Sequence, residues 1–540
     1  MTSNLRERAL VVLGFAALTA FVLRPLPWHL STLVYNPENN DGQFSVWNVA
    51  WVARALWRQP LHVLDANIFY PHRWTLAYSE LNLFAGAIAS PVFWLTGSAY
   101  AAHNFALLAS FVLSGTGMYF LCRDLSGDRR AAVVGAIAFA FCPHVFAHLP
   151  HIQLLMTAGL PFSLLAFHRL ADRPSAGRGA ALGLAMALQA YACAYYSVFV
   201  LLMVGFAVLM VAWLRGTWRV PAYWKAVGVG AIVSIVLSIP LIVTAVFLQQ
   251  SGFVRTLAGS RQYVADWRAY LASGNLLHAW MLVHLGHWKE VLFPGFIAVL
   301  LGIAGTAAGW RAGGRRREVV ALYGALTVAA LWASFGPDAG LYAVLYRIVP
   351  TFSMLRAPSR FGVVVVFGLS VLASIAIAWA LERSRRATIV GAVLIALAVG
   401  EAMVPLTFGP TLAAHPAYGL LATLPDGPVL ELPVYSRVLG FRRARYMLDS
   451  TVHWKPLIDG YSDYIPPDFD ARAEALADFP SVSALTDMKR DRVRYAVVHL
   501  LPYEAAMRTD LEQRVREFAP YLRELHRDTE LLMFEIVRYP

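Results

Sequence analysis

Residues 99–148 read AYAAHNFALLASFVLSGTGMYFLCRDLSGDRRAAVVGAIAFAFCPHVFAH. Two apolar runs, 99–122 and 131–148, flank a short turn that carries Arg123, Arg129 and Arg130. Each run approaches the length of about 20 residues that crosses a bilayer core. Short cytoplasmic loops collect Lys and Arg, so the arginines mark the turn as cytoplasmic. This stretch predicts a helical membrane hairpin that opens away from its arginines.

Working outward, the same pattern repeats. Further apolar runs lie at 8–24, 152–170, 179–195, 196–214, 223–248, 291–310, 319–335, 360–381 and 388–405, which makes about 11 transmembrane helices. The remaining basic loops carry Arg6 and Arg8; Arg169, Arg173 and Arg178; Arg215, Arg219 and Lys225; Arg311, Arg315, Arg316 and Arg317; and Arg383, Arg385 and Arg386. The opposite short turns, 149–151 and 195–196, carry no Lys or Arg. The rule then places the N-terminus inside and the C-terminus outside. Composition agrees: 58% of residues are hydrophobic and 14% charged, and mean hydropathy is +0.54. The net charge of +12 is spread over six loops, so it reads as a topology signal rather than a nucleic-acid face. Arg24-Pro25-Leu26-Pro27 follows the first run where a signal peptide would have small residues, which predicts an uncleaved span. The three cysteines, Cys122, Cys142 and Cys193, fall in or near spans and imply no disulfide framework.

The fold class expected is an all-α polytopic membrane bundle over 1–405, with a small C-terminal α/β soluble domain over 406–540. Residues 25–98 form the first outside loop. In it Phe44, Trp47 and Trp51 recur at helical spacing, which predicts an interfacial helix with its indoles at headgroup level. The apolar piece 81–96 is interrupted by Pro91 and reads as interfacial or re-entrant. In the tail, 429–434, 493–500 and 531–537 are rich in Val, Leu and Ile and predict strands; 509–518 predicts a helix.

Asp41 leads the candidate site residues. It sits in Glu38-Asn39-Asn40-Asp41-Gly42-Gln43-Phe44. A carboxylate held between an interfacial helix and the bundle is partly desolvated, which raises its basicity toward that of a general base. The plainer reading is that Asp41 is the N-cap of the following helix, and one residue can fill both roles. His144, His148 and His151, with Gln153, cluster at the outer end of the third span. Their spacing suits a metal or, better, a phosphate or sugar hydroxyl; the plainer reading is that they are interfacial hydrogen-bonders. Arg356 and Arg360 lie outside, against the general asymmetry, and read either as bidentate phosphate ligands or as snorkelling headgroup anchors. Lys289, Arg261 and Arg268 are further candidates for phosphate. Glu80 and Asp266 are further acidic candidates; for Asp266 a surface ion pair with Arg261 or Arg268 is the plainer reading. Gly177-Arg178-Gly179 with Gly183 opens an apolar run without a preceding strand, so it predicts close helix packing rather than a nucleotide loop. Walker, HExxH and Gly-x-Ser-x-Gly motifs are absent from the sequence.

The ordering resembles the GT-C superfamily of polytopic membrane glycosyltransferases. One span leads to an outside loop with an early Asp before an aromatic helix. Then come Asn67-Ile68-Phe69-Tyr70-Pro71, a bundle and an outside tail. Leu355 to Phe361 and Lys455-Pro456-Leu457-Ile458-Asp459-Gly460-Tyr461-Ser462 are similar to a bacterial glycosyltransferase-like, YfhO-like branch. The resemblance implies a polyprenyl-phosphate sugar donor and a catalytic acid at Asp41. Many members carry two adjacent acids; here the neighbour is Asn40 and the nearest acid is Glu38, which weakens a metal-dependent mechanism. No metal ligand set is assigned and no cofactor is required, a divalent metal being the only one considered. The expected protein is a bacterial inner-membrane glycosyltransferase working on the periplasmic face. It would transfer a sugar from lipid-linked donor to an envelope glycan, lipid or protein acceptor, with no nucleic acid involved. The alternative is a non-catalytic scaffold or transporter for envelope polymers.

Overall fold

The computed structural model describes residues 2–540, with side chains from Leu5 onward. The chain divides into two compact units: Met1–His29 with Phe105–Thr407, and Leu30–Asn104 with Phe408–Pro540. Residues 30–104 are thus grouped with the tail, across the whole bundle sequence.

The first unit is helical. Every predicted run contains helix. Among the described residues six helices are long and apolar enough to cross a membrane: Ala99–Ser126, Arg129–Ala147, Ile152–Asp172, Ala194–Leu214, Pro221–Gln250 and Pro358–Leu381. Length and apolarity alone therefore do not yield eleven. Phe296–Ala312 and Ala387–Glu401 are shorter, at 17 and 15 residues, and Gly314–Ser334 opens with Arg315, Arg316, Arg317 and Glu318. The 179–214 stretch forms two helices, Ala176–Ala192 and Ala194–Leu214, joined at Cys193.

Small residues let these helices approach, as the Gly179 and Gly183 pattern predicts. A Cβ on Gly179 would strike the Ala226 carbonyl oxygen, and one on Gly183 that of Gly230. At Gly305 a Cβ would strike the Leu372 oxygen. At one end of the bundle the arginine loops are knotted by ion pairs. Arg215 donates to both Glu318 carboxylate oxygens at 2.7 Å and to Asp172 at 2.9 Å. Arg315 reaches Asp124 at 3.0 Å and Asp172 at 2.9 Å, and Arg129 reaches Glu7 at 2.7 Å.

The second unit holds two sheets. β1 (Leu33–Tyr35) pairs antiparallel with β2 (Phe408–Pro410), Leu33 opposite Pro410. The larger sheet combines β3 (Val429–Leu432), β4 (Tyr495–His499), β5 (Leu522–Arg527) and β6 (Leu531–Ile536) in the order β3-β4-β6-β5. β3 and β4 are parallel; the other pairings are antiparallel. Leu430, Leu485, Met488, Val498 and Phe534 form its core. β3 ends where Pro433, without an N–H, cannot extend the ladder.

Two readings of the first loop need correction. The helix Asn40–Arg58 does not lay its indoles at headgroup level: Trp47 is 0% and Trp51 3% exposed. Their Nε1 groups donate inward, to Asn67 Oδ1 at 3.0 Å and to the Val63 oxygen at 2.9 Å. Helical periodicity identified a face, and that face meets protein. Only the far rim is open: Trp57, Leu61, Trp94 and Leu95 are exposed. Nor does Pro91 interrupt its segment. Leu83–Thr96 runs through it as one helix, packed on Asn40–Arg58 so closely that a Cβ on Gly86 would strike Val52.

Candidate functional site

In the second unit the site is built around Asp41, in the first turn of the Asn40–Arg58 helix. Asp41 is not the N-cap. Asn39 is extended and its Oδ1 accepts the Gly42 N–H at 2.9 Å. The cap is therefore filled, and Asp41 sits where the positive end of a helix favours an anion. Tyr461 Oη donates to Asp41 Oδ1 at 2.9 Å, and the Tyr461 ring packs edge-on against Phe44 at 5.8 Å.

The segment bearing Tyr461 is firmly placed. Leu457 N–H donates to the Asn67 oxygen, and Tyr70 N–H to the Leu457 oxygen, both at 2.9 Å. Asn67 Nδ2 reaches Ser450 Oγ at 3.1 Å. The two short motifs around Asn67 and Leu457 are thus one hydrogen-bonded strip. Behind it, fully buried Arg443 donates to Asp459 Oδ1 at 3.0 Å and to the Gly460 oxygen at 2.8 Å. Lys455 belongs to the same scaffold: its Nζ donates to the Leu424 and Pro425 oxygens at 2.8 and 3.1 Å. The backbone oxygen of Glu80 accepts from Asn48 Nδ2 at 3.0 Å, which ties the Glu80 segment to the same helix as Asp41.

The first unit carries a basic cluster. The third predicted span breaks at Phe141 and Cys142, and Pro143 starts a short new helix that holds His144 and is C-capped by His148. The two histidines are adjacent: His148 Nδ1 lies 2.7 Å from the His144 oxygen, and their ring centroids are 4.3 Å apart. His151 follows, its ring 6.1 Å from that of His148. Arg360 lies over the Tyr195 ring at 4.0 Å, and Tyr195 Oη accepts the Arg356 and Ala357 N–H groups. Arg356 itself rests 5.2 Å from the Tyr263 ring. Ser359 Oγ donates to Glu290 at 3.0 Å. Burial raises the Glu290 carboxyl above its usual range; Ser359, Arg360 and His151 oppose the rise. Such a group is suited to moving a proton.

Gln153 is half-buried in the short turn after His151, and Lys289 is exposed. Asp266 neither pairs with Arg261 nor joins this cluster: its Oδ1 accepts the Ala269 N–H at 2.8 Å, while Arg261 pairs with Asp338. Arg268 rests over the Trp267 ring at 5.3 Å. An apolar cavity of about 860 Å³, lined by Leu10, Phe15, Val133 and Ile395 among others, lies in the first unit. Arg6, Glu7 and Arg129 also line it, so it belongs to the ion-paired end rather than to the histidines. Sequence reasoning did not name Tyr461, Tyr195 or Glu290 as site residues. Tyr461 lies within the quoted motif Lys455 to Ser462, Glu290 lies beside Lys289, and Tyr195 is a single residue without a spacing motif.

A helical unit and a second unit with a mixed sheet occur together in solved structures. The chain is similar to ArnT from Cupriavidus metallidurans in the apo state, with TM-score 0.50, 14% identity, and 97% of each chain covered. It is equally similar to ArnT bound to undecaprenyl phosphate, with TM-score 0.50, 15% identity, and the same coverage. An oligosaccharyltransferase from Archaeoglobus fulgidus in the apo form gives TM-score 0.47 at 11% identity, over 96% of this chain and 73% of that one. No family model matches the chain, and no curated protein matches it. The likeness is one of fold alone, and with the two ArnT structures it spans nearly the whole of both chains.

Proposed function

We propose that this protein is a membrane glycosyltransferase that moves a sugar from a polyprenyl-phosphate donor to an envelope acceptor. Its setting is a bacterial inner membrane, with the second unit on the periplasmic side. The motifs 355–361 and 455–462 support the YfhO-like branch. Asp41 is the general base that takes the proton of an acceptor hydroxyl, and the acceptor oxygen then displaces the lipid phosphate with inversion at the sugar carbon. Arg360, Arg356, His148 and His151 supply positive charge and donors for the phosphate. Lys289 is exposed and adds charge only.

The observation that carries this reading is the placing of Asp41. It is a carboxylate at a helix start whose cap is already filled by Asn39, and it accepts from a tyrosine hydroxyl held by a rigid strip. Such a carboxylate has no capping duty to explain it. The test is incorporation of labelled sugar from a panel of polyprenyl-phosphate donors by the full chain in detergent. A general base contributes about 10²–10⁴-fold, so Asp41→Asn should fold, bind donor lipid and lose transfer by that order. Full turnover by Asp41→Asn would remove Asp41 from the chemistry.

A further inference from the structure

In the second unit, and unconnected with Asp41 by any of the hydrogen bonds above, three metal-ligating side chains converge. His415 precedes the Ala417–Thr423 helix, His526 lies near the end of β5, and Asp528 lies in the turn joining β5 to β6. His526 Nε2 is 2.6 Å and His415 Nε2 is 3.0 Å from the same carboxylate oxygen, Asp528 Oδ2. The two imidazoles are 5.5 Å apart and steeply inclined. One ligand atom from each of the three lies within 4.8 Å of the others.

We propose that His415, His526 and Asp528 form a divalent-cation site of zinc type. Two imidazole nitrogens and one carboxylate oxygen are a ligand set that zinc accepts, at bond lengths of about 2.0–2.2 Å. Three protein ligands leave a fourth position for water. The carboxylate is already oriented for this role. Its other oxygen, Oδ1, accepts the Glu530 and Leu531 N–H groups, each at 2.8 Å, which leaves Oδ2 facing the histidines. Hydrogen bonds of this kind fix a ligand's direction. The neighbouring cation does not compete: Arg527 is paired with Glu524 at 2.7 Å.

Binding has one local consequence. Without metal, His415 Nδ1 accepts the Ala417 N–H at 3.2 Å, so the ring proton sits on Nε2 and points at Asp528. Zinc at Nε2 displaces that proton; Nδ1 then carries a proton and releases the long contact to Ala417. The site would pin the segment before the Ala417–Thr423 helix to the β5–β6 turn. Its role would be to stabilise the outer unit.

The probe is zinc itself. The full chain, purified in detergent and stripped with a chelator, is equilibrated with zinc near neutral pH, and bound metal is counted per chain. The expected result is one zinc per chain and a melting temperature that rises with zinc. The double variant His415→Gln/His526→Gln should lose the zinc and the shift, whereas His62→Gln keeps both. Cobalt(II) added to stripped wild type should give tetrahedral ligand-field bands that zinc abolishes. This arm needs no variant, so misfolding of the double variant does not spoil the test. No retained metal and no cobalt bands in wild type would overturn the proposal. Equal uptake by the double variant would overturn it as well.

Discussion

Tyr461 is the side chain best placed to set the behaviour of Asp41. Its hydroxyl lies 2.9 Å from Oδ1 and its ring rests on Phe44. A hydrogen bond to a charged group contributes about 1.5–3 kcal/mol, and each 1.4 kcal/mol of barrier is about tenfold in rate. Tyr461→Phe keeps the ring contact and removes the donor. Transfer should fall by about tenfold or more while the melting temperature changes little; an unchanged rate would show that the hydroxyl only packs. A second residue-scale effect concerns Asp449, 3% exposed and bonded to Arg445 at 2.8 Å. Burial outweighs Arg445 and raises its carboxyl to about 6, against about 3.9 in an unfolded chain. Between those values the folded state keeps a proton that the unfolded chain has released. Its contribution to stability therefore declines as pH rises through about 4 to 6 and is level above that window. The decline is on the order of 3 kcal/mol. Melting curves across this range should flatten for Asp449→Asn relative to wild type; parallel curves would rule the assignment out.

At the scale of elements, helix contacts in the first unit are set by where a side chain is missing. Gly305 meets the Leu372 oxygen so closely that any Cβ forces the two helices apart, and overpacking of this kind costs about 1–3 kcal/mol. Gly228, also within a helix, has open space where its Cβ would be, and Ala there should be neutral or gain up to about 1 kcal/mol. Thermal unfolding in one detergent should thus rank Gly228→Ala at or above wild type and Gly305→Ala below it. The reverse order would refute the close crossing. These elements also show what a sequence can disclose. Spans are legible because a bilayer demands long apolar helices, and the Gly179 and Gly183 pattern is legible because only small residues permit such approach. The environment of the Asn40–Arg58 helix is not legible. Its 3.6-residue period marks one apolar face, but the partners of Trp47 run through Asn67 to Ser450, a distant part of the chain. The same applies to the site. Asp41 stands out by position, whereas Tyr461, Glu290 and the His415–His526 pair become neighbours of their partners only through the fold. The strand β5 was missed because Arg523, Glu524 and His526 break the apolar pattern that marks its neighbours.

At the scale of the whole molecule, orientation follows from which helix ends meet within the first unit. Arg215 ties the ends near Asp172 and Glu318, and Arg315 ties those near Asp124 and Asp172. These ends must share one side. The short helices test the span count. At about 1.5 Å per residue, Phe296–Ala312 and Ala387–Glu401 are about 25 and 22 Å long, less than the hydrocarbon core of about 30 Å. Yet they have the right ends together. Glu401, closing one helix, accepts the Phe296 and Ile297 N–H groups that open the other, and His278 Nε2 lies 2.9 Å from the same carboxylate. Their other ends carry Arg311 and Arg386. Each short helix thus has an arginine at one end and the Glu401 contact at the other; for either to cross, the bilayer would have to thin or flanking side chains snorkel to match. We predict that a reporter fused after Arg316 is cytoplasmic and one fused after Tyr435 is periplasmic, as an odd number of crossings with arginine inside requires. Both reporters on one side would mean that one short helix does not cross, and the eleven-span topology would fall with it.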